Sequence, residues 1–183
     1  GAVTLCAQPS TLRLWSQTAI PGCPRAQLPQ ATVLKDLTIS RLDTADDWVR
    51  GRNERSLIVA ISIRGHRLLF LGDIGIDREQ DLAQRFGKAT IVKVPHHGSR
   101  SSSSSDLVRE VSAKVALIGA GPNDRFGHPH RDIVQRWRDS GARVETADQS
   151  ERCWVLHPKR RPRRCAALAY GRQLPATVDQ NLR

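Results

Sequence analysis

Between Ser56 and Arg64 apolar side chains recur on alternate positions, and this period of two constrains the fold more than any other feature of the chain. Leu57, Val59, Ile61 and Ile63 share one face of an extended segment, with Ile58 and Ala60 on the other. Gly65-His66 is expected to turn the chain, and Arg67–Leu71 to return as a second strand, which makes a β-hairpin. Residues 31–43 read as a strand or short hairpin and residues 44–54 as a polar loop. Residues 1–30 are punctuated by Pro9, Pro21, Gly22, Pro24 and Pro29 and read as an irregular leader.

After the hairpin the period lengthens. Asp77-Arg78-Glu79-Gln80 reads as a capping box and Gly87 as a helix stop, with one helix between them. Ala89–Val94 is a short apolar strand, residues 106–112 a helix, Lys114–Gly119 a strand and residues 120–128 a Gly/Pro/Asn loop. A helix begins at Pro129 or His130 and ends at Gly141, with Ile133, Val134 and Trp137 on one face. Arg143–Thr146 and Arg152–Leu156 read as closing strands, and the run Ser101–Ser105 as a mobile loop. A hairpin feeding strands that alternate with helices predicts an α/β layered domain, in which ligand groups sit on the loops that follow strand ends.

The chain has 183 residues, enough for one domain with a core, and aromatics supply only 4% of them. Leu, Val, Ile and Ala must therefore fill most of that core. No apolar run is long enough to span a membrane, and the first ten residues lack the charged start of a signal peptide. Gly1 stands where an initiator Met would, and Met is absent throughout, which reads as part of a longer protein. The net charge of +11 suits a polyanionic partner, nucleic acid or an anionic membrane surface. More than half of it lies in a basic tail, residues 158–183, where Lys159, Arg160, Arg161, Arg163, Arg164, Arg172 and Arg183 face Asp179 alone. Such a tail is either a solvated terminus or a polyanion contact. Cys6, Cys23, Cys153 and Cys165 form no C-x-x-C pair, which argues against a zinc ribbon. Cys6 and Cys23 can close a small loop under oxidising conditions or remain free thiols.

Three short motifs carry candidate chemistry. In Leu71-Gly72-Asp73 a strand ends in a glycine and a carboxylate. A carboxylate there can bridge metal ions, although turns and helix caps use the same pair. In Val94-Pro95-His96-His97-Gly98-Ser99 two adjacent histidines follow a strand. In an extended backbone they point to opposite sides, so one can bind metal while the other meets substrate. Ser99 can donate to a phosphate oxygen, and the alternative is an exposed polar turn. In Asn123-Asp124-Arg125-Phe126-Gly127-His128-Pro129 a loop enters a helix, where His128 can orient or protonate an oxyanion, or the segment simply caps the helix. His66, His130 and His157 read as surface residues, and Lys93 as exposed.

Taken in order, Asn53-Glu54-Arg55-Ser56-Leu57-Ile58-Val59, Leu68-Leu69-Phe70-Leu71-Gly72-Asp73-Ile74, Val92-Lys93-Val94-Pro95-His96-His97-Gly98-Ser99, Asn123 and Gly127-His128-Pro129 resemble the metallo-β-lactamase-type domain at the C-terminus of the ComEC family. That family comprises inner-membrane channel proteins of bacterial DNA uptake. The resemblance covers residues 31–157 and implies the C-terminal half of an αββα sandwich, lacking the N-terminal half. It further implies a site for two divalent ions, zinc or manganese. Asp73 would be the bridging carboxylate, His97 a metal ligand and His96 a residue towards substrate. His128 would lie near the leaving group or a phosphate, and Ser99 and Asn123 would bind substrate. The implied reaction is attack of hydroxide on a phosphodiester of single-stranded DNA, in a parent protein that carries a membrane channel.

One departure limits the inference. The family's His-x-His/Asp-x-Asp-His motif should lie upstream, yet residues 1–56 contain no histidine. Asp73 and His97 alone should not hold two metals, so the expectation is a fragment or a decayed copy, inactive in isolation. Two other readings stand beside the nuclease. One is a non-catalytic nucleic-acid-binding or scaffold module. The other is a hydrolase of the same fold acting on a small ester or lactone.

Overall fold

A computed structural model describes residues 31–34, 36–42, 51, 53–121, 124–146, 154–158 and 160–164. The proposed leader, all four cysteines, Asn123 and most of the basic tail lie outside these residues. Seven strands form one mixed sheet in sequence order: β1 (Ala31–Leu34), β2 (Leu37–Arg41), β3 (Val59–Ile63), β4 (His66–Phe70), β5 (Ile91–Lys93), β6 (Val115–Ile118) and β7 (Arg143–Thr146). The first four run antiparallel and β4 to β7 run parallel. The α/β reading of the sequence is thus correct, and β1 and β2 pair antiparallel as the hairpin that the sequence offered.

The β3–β4 hairpin turns on Arg64-Gly65, one residue earlier than expected, and both residues have positive φ, 50° and 77°. A two-residue turn whose twist matches its strands needs positive φ at both central positions. The shift places His66 inside β4, where it is buried and its Nε2 lies 2.7 Å from the carbonyl of His157. His66 is therefore not a surface turn residue.

The parallel strands are joined by α1 (Ile76–Asp81) and α2 (Ala83–Phe86), then α3 (Ser105–Val111), then α4 (Arg131–Asp139). Each step moves one strand along the sheet in the same direction, and right-handed crossovers then place every helix on one face. Contacts of α3 with α1, α2 and α4 fit that layer. Beneath it Ala60, Leu69, Val92 and Ala116 stand side by side across four strands, each at most 1% exposed. Phe86, Leu107, Ile133 and Trp137 close the core from the helix side. The opposite face of the sheet is also apolar, with Ile61, Leu68, Ile91 and Val115 in register across β3 to β6.

Two expected elements differ. The helix after Gly75 is broken at Leu82, and no side chain of a capping box bonds its first turn. The carboxylate of Glu79 turns away from the helix and accepts the backbone N–H groups of Ser103 and Ser104. The serine run is consequently not a mobile loop. Ser102 and Ser103 are fully buried, and Ser104 Oγ caps α3 by accepting the Leu107 N–H at 3.1 Å. Gly87 ends α2 as expected, and Arg67 donates to the Phe86 carbonyl there.

Candidate functional site

The parallel strands β4, β5 and β6 end at the same edge of the sheet, where doubly wound folds collect their ligand groups. Leu71-Gly72-Asp73 follows β4, Val94–Ser99 follows β5, and the loop that carries His128 follows β6. The chain thereby brings Asp73, His96, His97, Ser99 and His128 to one end of the molecule. Asn123 lies outside the described residues.

Gly72 makes the close approach of Asp73 possible. Its φ is +61°, and a Cβ there would stand 2.3 Å from the Ser56 Cβ. Ser56 Oγ in turn accepts the Asp73 N–H at 2.9 Å. The Asp73 carboxylate faces two cationic or ligating groups. Its Oδ1 is 3.5 Å from His97 Nε2 and 3.4 Å from Lys93 Nζ. Lys93 Nζ also donates to the Gly72 carbonyl at 3.1 Å. Lys93 is therefore a partly buried, paired residue, in contrast to the exposed one expected. Its register opposite Phe70 at the end of β5 carries it to the strand-end rim.

The two histidines do not lie in extended backbone. Pro95–Gly98 makes a tight turn in which His96 and His97 are both left-handed, with φ 46° and 54°. The turn is held by the His96 N–H on the Gly72 carbonyl and by the Ser99 N–H on the His96 carbonyl. It still separates the two rings. His97 Nδ1 donates to the Gly119 carbonyl at 2.5 Å, which leaves Nε2 facing Asp73. His96 Nδ1 lies 3.3 Å from Ser101 Oγ, and its Nε2 lies 3.3 Å from the Asn53 side-chain nitrogen. With the Asn53 amide nitrogen as donor, Nε2 accepts from it. Ser99 Oγ is 3.0 Å from Ser101 Oγ and so reaches His96 through that residue.

The third motif docks on the second. Gly98 has φ +80°, and a Cβ there would meet the Pro129 Cβ at 2.8 Å. The Gly98 carbonyl accepts the His130 N–H at 3.0 Å. The His128 ring then stands edge-on to His96 with centroids 5.9 Å apart. Asp124 organises this loop, since one oxygen accepts the N–H groups of Phe126 at 2.8 Å and His128 at 3.3 Å. These bonds, the Phe126 N–H first, hold the Asp124 carboxyl below its ordinary range. Burial pushes the His128 pKa down, and Asp124, 3.7 Å from Nδ1, opposes the shift. His128 does not cap a helix. The N-cap of α4 is His130, and α4 starts at Arg131.

Several contributors have no signature in local pattern. Asn53 and Glu54 end a stretch that reads as polar loop, and Ser56 opens one that reads as strand. The three stand in the resemblance but no local pattern gave them a role, yet Asn53 reaches His96 and Ser56 holds Asp73. Glu54 accepts the Gly75 N–H with both oxygens at 3.1 Å, ahead of α1. Only long-range packing, over separations of 17 to 43 residues, reveals these roles. For Lys93, a charged residue ending an apolar strand was the available signal.

With His97 Nδ1 donating to the Gly119 carbonyl, Nε2 is the ring atom turned to the Asp73 carboxylate, and a divalent ion between the two would take one donor from each. Two ligands of a tetrahedral zinc at about 2.0–2.1 Å stand about 3.4 Å apart, so the pair suits two positions on one ion. Among the described residues, however, no group of three or more His, Cys, Asp or Glu side chains could hold a metal. The described donors do not complete a one-metal or two-metal centre.

No protein-family model matches the chain. Curated relatives do. The chain is 31% identical over 119 residues to ComE operon protein 3 of Bacillus subtilis (strain 168), covering 64% of this chain and 15% of that protein. It is 30% identical over 96 residues to Recombination protein 2 of Haemophilus influenzae (strain ATCC 51907 / DSM 11121 / KW20 / Rd), covering 52% of this chain and 12% of that protein. It is 28% identical over 101 residues to Competence protein ComA of Neisseria gonorrhoeae, covering 54% of this chain and 15% of that protein. The chain is thus similar to a short portion, 12–15%, of much longer bacterial proteins, one of them named for competence and one for recombination.

Proposed function

We propose that this chain carries one side of a metal-dependent phosphodiesterase site that acts on single-stranded DNA during DNA uptake. The observation that carries the reading is the convergence of Asp73 Oδ1 and His97 Nε2, 3.5 Å apart, beside His96 and His128 at the ends of three parallel strands. The names of the relatives support the competence setting. The net charge of +11 suits a DNA partner. In this reading the second apolar face of the sheet meets the other half of a metallo-β-lactamase-type sandwich. That half, from the length of the relatives that this chain does not span, supplies the remaining ligands for zinc or manganese. The parent protein carries a membrane channel at the bacterial inner membrane. Among the described residues no helix is long and apolar enough to cross a membrane.

The metal would supply Lewis-acid stabilisation of the phosphate when bound, with Asp73 and His97 as two of its ligands. The roles of this chain's own residues follow from their surroundings. Lys93 offsets the charge of Asp73 and can donate to a phosphate oxygen. His96, whose Nε2 accepts from the Asn53 amide, offers that nitrogen to whatever displaces Asn53. His128, kept neutral by burial, has its Nδ1 proton biased towards Asp124 and its Nε2 lone pair free to accept a proton.

The test is manganese- or zinc-dependent cleavage of labelled single-stranded DNA by the parent protein, with Asp73→Asn and His97→Ala as variants. Loss of cleavage by orders of magnitude in both is the expected result. Stoichiometric metal binding with every phosphodiester left intact would sink the proposal. The Lys93–Asp73 pair favours a second reading, a non-catalytic nucleic-acid-binding module, because an ammonium already neutralises the carboxylate. That module predicts salt-dependent DNA binding unaffected by Asp73→Ala and His97→Ala.

A further inference from the structure

Four large apolar side chains are exposed among the described residues: Val33, Phe70, Phe126 and Val155. Three of them lie on strands, whereas Phe126 projects from the loop that carries His128, with 60% of its surface exposed. Two observations give that ring a chemical direction. The Arg125 guanidinium lies over it, 4.5 Å from the centroid. The His128 ring stacks beside it, with centroids 5.8 Å apart and planes 29° from parallel. From Phe126 a row of rings therefore leads through His128 to His96, the last step being 5.9 Å.

The projection is built in. The Phe126 N–H is fixed on Asp124 Oδ1 at 2.8 Å, and the Gly127 N–H on the Asp124 carbonyl at 3.0 Å. With the backbone pinned by these bonds and the ring bracketed by Arg125 and His128, Phe126 is preorganised for a flat apolar partner and needs little ordering when one arrives. The neighbouring guanidinium and the net charge of +11 require that partner to bring anionic groups. Unpaired bases joined by phosphates meet both conditions, because each base has a π-face for aromatic or guanidinium stacking.

We propose that Phe126 and Arg125 form a stacking platform for one base of a single-stranded nucleic acid, setting the adjoining phosphodiester beside His128 and His96. The proposal rests on the nucleic-acid part of the reading above and not on hydrolysis. Phe126 sets how the strand is seated, and Arg125 adds a phosphate contact.

The experiment is fluorescence anisotropy with the 183-residue chain at low salt, without metal. The probes are a labelled oligothymidylate and an abasic oligonucleotide of the same length. One stacked base is worth about 1–3 kcal/mol, so the wild type should prefer the oligothymidylate by about 5- to 150-fold. Phe126→Ala should abolish the preference and leave abasic binding unchanged, and Phe126→Trp should keep it. Arg125→Ala should weaken both probes and lower the salt slope by about one. A wild type that binds both probes equally or neither, or a Phe126→Ala chain that keeps the preference, overturns the platform. None of these results depends on cleavage, so the platform and the phosphodiesterase reading fail separately.

Discussion

The bond from His97 Nδ1 to the Gly119 carbonyl, 2.5 Å long, decides which nitrogen of His97 faces Asp73. A carbonyl only accepts, so Nδ1 carries a proton and Nε2 is the nitrogen left for a metal under the proposed function. The carbonyl comes from the end of β6 and the carboxylate from the end of β4, so the parallel order of the strands aims the imidazole.

Lys93 pairs with the Asp73 oxygen that faces His97, so a metal bound there under the proposed function would compete with it. Lys93→Met should therefore raise the zinc or manganese affinity of the parent protein by about fivefold, since a half-exposed ion pair is worth up to about 1 kcal/mol. Isothermal titration calorimetry measures it, and an unchanged or weakened affinity refutes the competition.

Gly72 and Gly98 have positive φ and face packed neighbours, Ser56 and Pro129. Alanine at either position must distort the backbone and displace a wall of the site. Each substitution should lower stability in urea denaturation by about 2–4 kcal/mol. A loss under about 0.5 kcal/mol, the range of an ordinary surface change, contradicts the close approach.

Glu79 is 1% exposed, and burial raises its carboxyl pKa above the ordinary 4.5 against the pull of its bonds to Ser104 and Ser103 and the charge of Arg136. The folded chain then holds the proton more tightly than the unfolded chain. Stability should fall as pH rises from about 4.5 through the raised folded value, by linkage. Urea midpoints between pH 4 and 7 should show this decline in the wild type and not in Glu79→Gln. Glu79→Ala, which orphans the Ser103 and Ser104 N–H groups, should cost about 2–4 kcal/mol.

His128 should titrate below its ordinary 6.5 by NMR, because burial disfavours the imidazolium. Asp124→Asn removes the charge that opposes this shift, so the midpoint should fall further. The unfolded chain takes up the proton first, so the stability held at pH 7 is lost as pH falls through 6.5 towards the depressed folded value. A midpoint at or above 6.5 in the wild type contradicts the burial argument.

Periodicity determined the β3–β4 hairpin, the alternation of later strands with helices, and the Gly87 stop, because each depends on neighbours within a few residues. It also placed Asp73, His96-His97 and His128 after strand ends, where an α/β sheet gathers its chemistry. What it missed depends on distant partners. Glu79 reads as part of a capping box until Ser103 and Ser104 arrive to take its carboxylate. The serine run reads as loose because its burial under Trp137 and Arg136 comes from α4, some 33 residues away. His66 moves from turn to core because two positive φ values at Arg64-Gly65 set the register by one residue. The sequence alone thus determined which residues could ligate or transfer protons, since that is a property of side-chain type. Tertiary structure decided how they face one another, since bonds to the Gly119 carbonyl and the Asn53 amide orient the His97 and His96 rings, Asp124 holds the His128 backbone, and no local pattern encodes them.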